Sequence, residues 1–349
     1  MPYLLEALYG QKTPRAPIWM MRQAGRYLPE YQKLRERYKL LEMMQSAELA
    51  ALVTLQPIER FPLDGAIIFA DILTPLIGMG IDLSFQDKTG PHIANPIQNH
   101  DQILALKNPS VWESVPYTLL AIKLVCEGLK DKKVPLLGFS GAPFTLSHYL
   151  LERGSRGSPA PILSLMRKEG ESYNLLQEKL VDMVSQYLIA QVEAGAAAVQ
   201  LFDSWVGILS PRDFKVYVAP YLIEIVNKFR ARSNAPIIYF GTETTGVLSQ
   251  LKDLGFNCIG LDWRVSLKEA RSLLADDKLT LQGNLDPTLL FAEWGVLSKN
   301  VEHLLREGEV VKPYIFNLGH GILPATPLDN VRRLIEMVVN LESTEKVDE

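Results

Sequence analysis

The chain has 349 residues, enough for one large α/β domain or two ordinary ones. Its formal net charge of -4 leaves no global positive field for nucleic acid, and no apolar run reaches the roughly 18 residues of a membrane span. The two cysteines, Cys126 and Cys258, cannot build a zinc cage by themselves, give no disulfide framework and suit a reducing compartment.

The N-terminal residues 1–12 are too short and too acidic for a signal peptide and lack a cleavage site, so a cytoplasmic protein is expected. Residues 3–9 read as a short helix before Gly10. An apolar run, Pro17 to Met21, then breaks into Arg22-Gln23-Ala24-Gly25-Arg26-Tyr27-Leu28-Pro29, the pattern of a buried strand ending in a loop. Two guanidiniums there form a fork for carboxylates or phosphates. The plainer reading pairs them with local acids such as Glu30.

Residues 30–60 are helical in pattern, and a second continuous apolar run, Gly65 to Ala70, is capped by Asp71. Ile81, Leu83 and Phe85 alternate with polar residues before Asp87-Lys88-Thr89-Gly90, which predicts a β-hairpin inserted after strand two. A helix is expected over 111–130, then a third strand, Val134 to Phe139, ending in Ser140-Gly141-Ala142-Pro143. Gly154 to Ser158 reads as a mobile surface loop, and residues 170–194 as the longest amphipathic helix. Five further apolar runs follow: Ala196 to Phe202, Pro236 to Phe240, Cys258 to Leu261, Leu279 to Gln282 and Tyr314 to Leu318. A helix from Asp329 to Leu341 closes the pattern, and a tail at about 343–349 is expected to be disordered.

Eight apolar strands alternating with helices predict a single (β/α)8 barrel over residues 1–349. An open nucleotide-binding sheet would need a Gly-x-Gly-x-x-Gly turn at a strand end, and none is present. In such a barrel the active site lies at the C-terminal strand ends. Arg22 and Arg26, Asp71, Tyr149, Asp203-Ser204, Asp262 and His320 would therefore converge on one mouth. Each has a plainer role as well. Asp71 could cap a helix, Ser204 could be a turn residue, and Asp203 and Asp262 are expected as structural ion-pair partners. His320 lies between two glycines, which permit close backbone approach by a ligand, although a lone histidine is about as often structural. No lysine stands at a strand end for a Schiff base. There is no His-x-His or paired-acid metal cluster, and no Gly-x-Ser-x-Gly elbow.

The string Pro17 to Glu30 resembles the N-terminal signature of the uroporphyrinogen decarboxylase family, Pro-x-Trp-x-Met-Arg-Gln-Ala-Gly-Arg-Tyr-Leu-Pro-Glu, and fills every fixed position. Four later segments are similar to the same family. They are Ile67 to Leu73, Gly138 to Thr145 with Tyr149 following, Gln200 to Ser204, and Asn317 to Gly321. The resemblance implies a (β/α)8 barrel, a homodimer with facing mouths, and no metal or organic cofactor. It also implies loss of carbon dioxide from the four acetate side chains of uroporphyrinogen III. It assigns catalysis to Asp71, Arg22, Tyr149 and His320, and substrate contact to these with Gln23, Ala24, Gly25, Arg26 and Ser204. Arg35 is a further candidate cation, and Met20, Met21, Phe69 and Phe144 are candidate cavity walls. Two alternatives remain: a cobamide-dependent methyltransferase-like relative in the same barrel superfamily, which holds zinc, and a non-catalytic tetrapyrrole-binding protein. The zinc reading wants a His-x-Cys pair, whereas this chain has His320-Gly321-Ile322.

Overall fold

The computed structural model describes residues 1–86, 90–152 and 158–340. Of the loop expected at Gly154 to Ser158, residues 154–157 lie outside the described residues, as do the turn residues 87–89 and the tail at 343–349. Among the described residues the strands are β1 (Ala66–Ile67), β2 (Leu83–Gln86), β3 (Gly90–Ile93), β4 (Leu136–Gly141), β5 (Ala198–Asp203), β6 (Ile237–Gly241), β7 (Cys258–Gly260), β8 (Thr280–Leu285) and β9 (Tyr314–Leu318).

Seven of them form one parallel sheet in the order β1-β4-β5-β6-β7-β8-β9. Ile67 stands opposite Leu137, Leu137 opposite Ala198, and Leu281 opposite Tyr314. Parallel neighbours need crossovers, and the helices between the strands supply them, covering the sheet's outer face. That double cover is why these strands read as continuous apolar runs instead of alternating ones.

The first predicted strand has a different form. Pro17–Trp19 makes a single parallel bridge, Ile18 with Phe316, instead of a ladder. On one side Phe316 N–H donates to the Pro17 carbonyl (2.9 Å); on the other Asp64 N–H donates to the Ile18 carbonyl (2.8 Å). The Asp64 carboxylate accepts from Ile18 N–H (2.8 Å) and bidentately from Arg15 (2.7 and 2.9 Å). This short segment thus sits between β9 and the chain entering β1, and it closes the barrel. A side-chain carboxylate replaces part of the missing ladder, so the strand signal in the sequence is genuine although the pairing is brief.

The remaining boundaries shift by a few residues. The helical pattern over 30–60 divides into Pro29–Arg35, Leu40–Gln45 and Ala47–Arg60, the last capped by the Ser46 hydroxyl accepting from Leu49 N–H. The helix expected over 111–130 divides into Val111–Ser114 and Pro116–Leu129, because the residue before a proline is pushed out of the helical region. The predicted hairpin is present as the antiparallel pair β2-β3. Inside the barrel, Trp19 Nε1 donates to Gln282 Oε1 (2.9 Å), and Gln282 Nε2 donates to Gln200 Oε1 (3.0 Å). Buried polar groups so linked tie the first segment, β5 and β8 across the interior.

Candidate active site

A cavity of about 660 Å³ opens at the C-terminal ends of the strands. Its walls bring together Arg22, Ala24, Gly25, Arg26, Asp71, Tyr149, Ser204 and His320. These come from segments spread over almost 300 residues of sequence, and the parallel topology alone collects them. Arg35 lines the same space, with Phe85, Gln86 and Pro91 from the hairpin. Met21 and Phe69 are also walls, whereas Met20 and Phe144 are core residues, 0% and 1% exposed.

Gln23 is placed behind the cavity. Its side chain is fully buried: Oε1 accepts from Met20 N–H (2.9 Å), and Nε2 donates to the Gly65 carbonyl (2.8 Å). It staples the signature loop to the chain entering β1, so its contribution is to the shape of the loop. Within that loop Arg22 adopts φ 62, a left-handed conformation that non-glycine residues seldom hold without surrounding constraint. The constraint is visible on both flanks. Met21 N–H donates to Asn317 Oδ1 (3.0 Å), and Ile322 N–H donates to the Met21 carbonyl (2.9 Å).

The stem of Arg22 lies across Gly321. A Cβ on residue 321 would come within 2.5 Å of Arg22 Cδ and 2.8 Å of Cγ. Gly321→Ala should therefore push the guanidinium off its position while leaving the fold intact. The expected result is a loss on the order of tenfold to a hundredfold in kcat/KM, with the circular dichroism spectrum unchanged. Wild-type kcat/KM in this variant would show that the position of Arg22 does not matter.

Neither Arg22 nor Arg26 forms an ion pair with an acid among the described residues; Glu30 pairs with Arg60 instead. Burial and the neighbouring Arg26 lower the pKa of Arg22, with Asp71 and Tyr149 opposing. Asp71 follows the residues of β1. Its Oδ1 accepts from Leu73 N–H (2.9 Å), and its backbone carbonyl accepts from the Thr74 hydroxyl (2.9 Å). Oδ2 accepts no hydrogen bond among the described residues. Burial raises the Asp71 pKa, and the Leu73 N–H, Arg22 and Arg26 only partly offset this. The site therefore holds a costly anion beside unpaired cations, an arrangement that a ligand with its own donors and carboxylates would relieve.

Tyr149 lies on the helix Pro143–Glu152 that follows β4. Burial raises its pKa, so the phenol keeps its proton. His320 follows β9, edge-on to Phe240 with ring centroids 6.4 Å apart. Burial, then Arg22, lowers its pKa to about 4, and it is neutral at physiological pH. Burial alone holds His148 at about 4 as well. Both histidines take up a proton more readily in the unfolded chain, whose ordinary value is 6.5. Their effect on stability is thus absent above that value and grows as pH falls toward about 4, where the fold loses stability. Nitrogen-detected titration should show both rings neutral at about pH 6. An imidazolium signal from either at that pH would contradict the described packing.

Asp203 and Asp262 differ from each other. Asp262 is the expected ion-pair partner, holding Arg264 at 2.6 Å and accepting from Glu243 N–H at 2.7 Å. Asp203 has no cation partner among the described residues. Fully buried, it accepts from the Thr145 hydroxyl (2.6 Å) and the Tyr239 hydroxyl (3.0 Å), and burial raises its pKa to about 6. The sequence reading missed Thr145, Tyr239 and Trp205 around it. An apolar run ending in Asp-Ser carries no sign of which side chain faces inward.

Among the described residues no three His, Cys, Asp or Glu side chains stand where they could hold a metal ion. The sequence profile of the uroporphyrinogen decarboxylase (URO-D) family matches residues 1–341. A uroporphyrinogen decarboxylase of Roseiflexus sp. (strain RS-1) is 46% identical over 338 residues, covering 96% of this chain and 97% of the relative. One from Thermus thermophilus is 44% identical over 335 residues, covering 96% of each. Among solved structures, a methyltransferase from Methanosarcina mazei superposes with a TM-score of 0.79 over 97% of each chain, at 21% identity. That likeness is one of fold.

Proposed function

The chain belongs to the uroporphyrinogen decarboxylase family, and from that premise we propose that its cavity seats a reduced tetrapyrrole with Asp71 at the ring centre. The activity is that of a carboxy-lyase, removing carbon dioxide from the four acetate side chains of uroporphyrinogen III to give coproporphyrinogen III. The observation that carries the assignment of residues is the pairing just described. Unpaired Arg22 and Arg26 suit a substrate bearing eight carboxylates, and the open Oδ2 of Asp71 suits its four inward pyrrole N–H donors.

The chemistry follows from that seating. A proton added to the ring carbon beside the acetate makes the pyrrole cationic. The bond to the carboxylate then breaks, carbon dioxide leaves, and its electron pair flows into the ring. The exocyclic methylene so formed takes a proton to become a methyl group, and the ring proton is returned. Asp71 sits where the positive charge develops, so it stabilises the cation more than the ground state. Arg22 and Arg26, with Arg35, orient the acetates and propionates bidentately. Tyr149, protonated and electrostatically coupled to both Asp71 and Arg22, is the group placed to pass the proton on. His320, neutral, and Ser204 offer hydrogen bonds to the carboxylate rim.

A homodimer and a cytoplasmic location complete this reading. Both cysteines are free thiols, and the substrate is a reduced, oxidisable macrocycle, which suits a reducing compartment. Sedimentation of the purified protein tests the dimer. The activity itself is tested with chelator-treated protein and carboxyl-labelled substrate, where release of four carbon dioxide molecules per macrocycle is expected. Binding without release would favour the carrier reading, and loss of activity restored by zinc would favour the methyltransferase-like one.

A further inference from the structure

Behind Tyr149 lies a group of side chains that the reaction as written does not use. Trp205 follows β5 and does not line the cavity. Its ring stands edge-on to Tyr149, with centroids 6.4 Å apart and planes at 80°. The other side of the indole rests on His148 at 4.0 Å and 34°. The backbone N–H of Trp205 donates to the Thr145 hydroxyl oxygen (3.2 Å), and that hydroxyl donates to the buried Asp203 (2.6 Å). Tyr239 OH, from β6, donates to the other oxygen of the same carboxylate (3.0 Å). The indole is thus fixed by its backbone and by one face.

Its Nε1–H is buried and completes no well-formed hydrogen bond among the described residues. An orphaned buried donor is costly and calls for a partner. The Tyr149 hydroxyl is the polar group it faces, and a hydrogen-bonding interaction with the Trp205 side chain already lowers the phenol's pKa against the effect of burial. Hydrogen bonds to catalytic groups are commonly long in a free enzyme and tighten once substrate is bound.

We propose that Trp205 is a positioning residue for Tyr149, its Nε1–H donating to the phenol oxygen when substrate binds while His148 and the Thr145–Asp203 pair hold the indole in place. A phenol that accepts from Trp205 must aim its own O–H elsewhere, toward Asp71 and the bound ring. The same donor increases the acidity of that O–H, which favours proton delivery. This rests on the reading of Tyr149 as proton carrier.

The test is a cycle of Trp205→Phe, Tyr149→Phe and the double variant, assayed with uroporphyrinogen III. Phenylalanine keeps a ring on His148 and removes the N–H. Trp205→Phe should lower kcat by about tenfold with KM nearly unchanged. In the Tyr149→Phe background it should cost nothing further. Wild-type kcat in Trp205→Phe would overturn the proposal, and so would an equal loss in both backgrounds, since that would mark a purely structural role. His148→Leu, which withdraws the aromatic face beneath the indole, is the second arm should Trp205→Phe fail to fold. It too should lower kcat only while Tyr149 is present, and a loss in both backgrounds would count against the proposal. If Tyr149→Phe alone retains full turnover, the proton-carrier reading fails first and is distinguished from a failure of Trp205.

Discussion

Asp71→Asn is expected to lower decarboxylation by about a hundred- to a thousandfold while making the ligand-free protein more stable. The amide keeps the size of the carboxylate and can still accept from Leu73 N–H, which now holds Oδ1 at 2.9 Å. What it loses is the negative charge at the point where the pyrrole becomes cationic. The stability gain has the opposite sign for a related reason. Burial raises the Asp71 pKa above the ordinary 3.8, so the ionised form is disfavoured in the fold relative to the unfolded chain. That penalty is present at neutral pH and vanishes as pH falls below 3.8, where both states are protonated. Melting curves should therefore show Asp71→Asn above wild type at neutral pH, with the gap closing in acid. A variant that is both inactive and less stable at neutral pH would mean that Asp71 is a structural anchor.

Arg22→Ala should lower kcat/KM on the order of a hundredfold, because a bidentate partner for a substrate carboxylate is lost and that carboxylate is left buried without one. Arg22→Lys separates two roles. Lysine keeps the charge but not the planar fork. If Arg22 orients a carboxylate, Arg22→Lys raises KM and leaves most of kcat. If the guanidinium is itself the acid, kcat collapses in Arg22→Lys although binding persists. The first outcome is expected. Burial and Arg26 lower the Arg22 pKa, but Asp71 and Tyr149 pull against them. The phenol of Tyr149 has no such need to give up a cation's charge. A steady-state comparison of the two variants decides between the roles.

Much of the barrel was legible because a sheet covered on both sides leaves a plain trace. Tyr314 to Leu318 reads as a strand and is β9 at those bounds. The first segment was less legible in form. Pro17–Trp19 is apolar like a strand, yet its closure depends on the Asp64 carboxylate, a contact across 46 residues that periodicity cannot encode. The site divides in the same way. Groups at strand ends, such as Arg22, Asp71 and His320, could be placed at one mouth by topology alone.

Direction was the part that sequence left open. Gln23 stands beside Arg22 in the signature but turns back to bind Met20 and Gly65. Asp203 stands beside Ser204 yet points into the interior toward Thr145 and Tyr239. Neighbouring residues at a tight turn face opposite ways, and which faces the cavity is decided by hydrogen bonds from distant segments. The need for glycine at 321 is of this kind too. Only the packing of the Arg22 stem shows why a Cβ has no room there.

The most direct measurement is an anaerobic time course of the chelator-treated protein with freshly reduced uroporphyrinogen III, Asp71→Asn alongside, with products oxidised and separated by carboxylate number. The account predicts stepwise appearance of seven-, six-, five- and four-carboxylate porphyrins from the wild type and almost none from the variant. Equal product series from both proteins would contradict the central role given to Asp71, and an unchanged eight-carboxylate porphyrin from the wild type would contradict the activity itself.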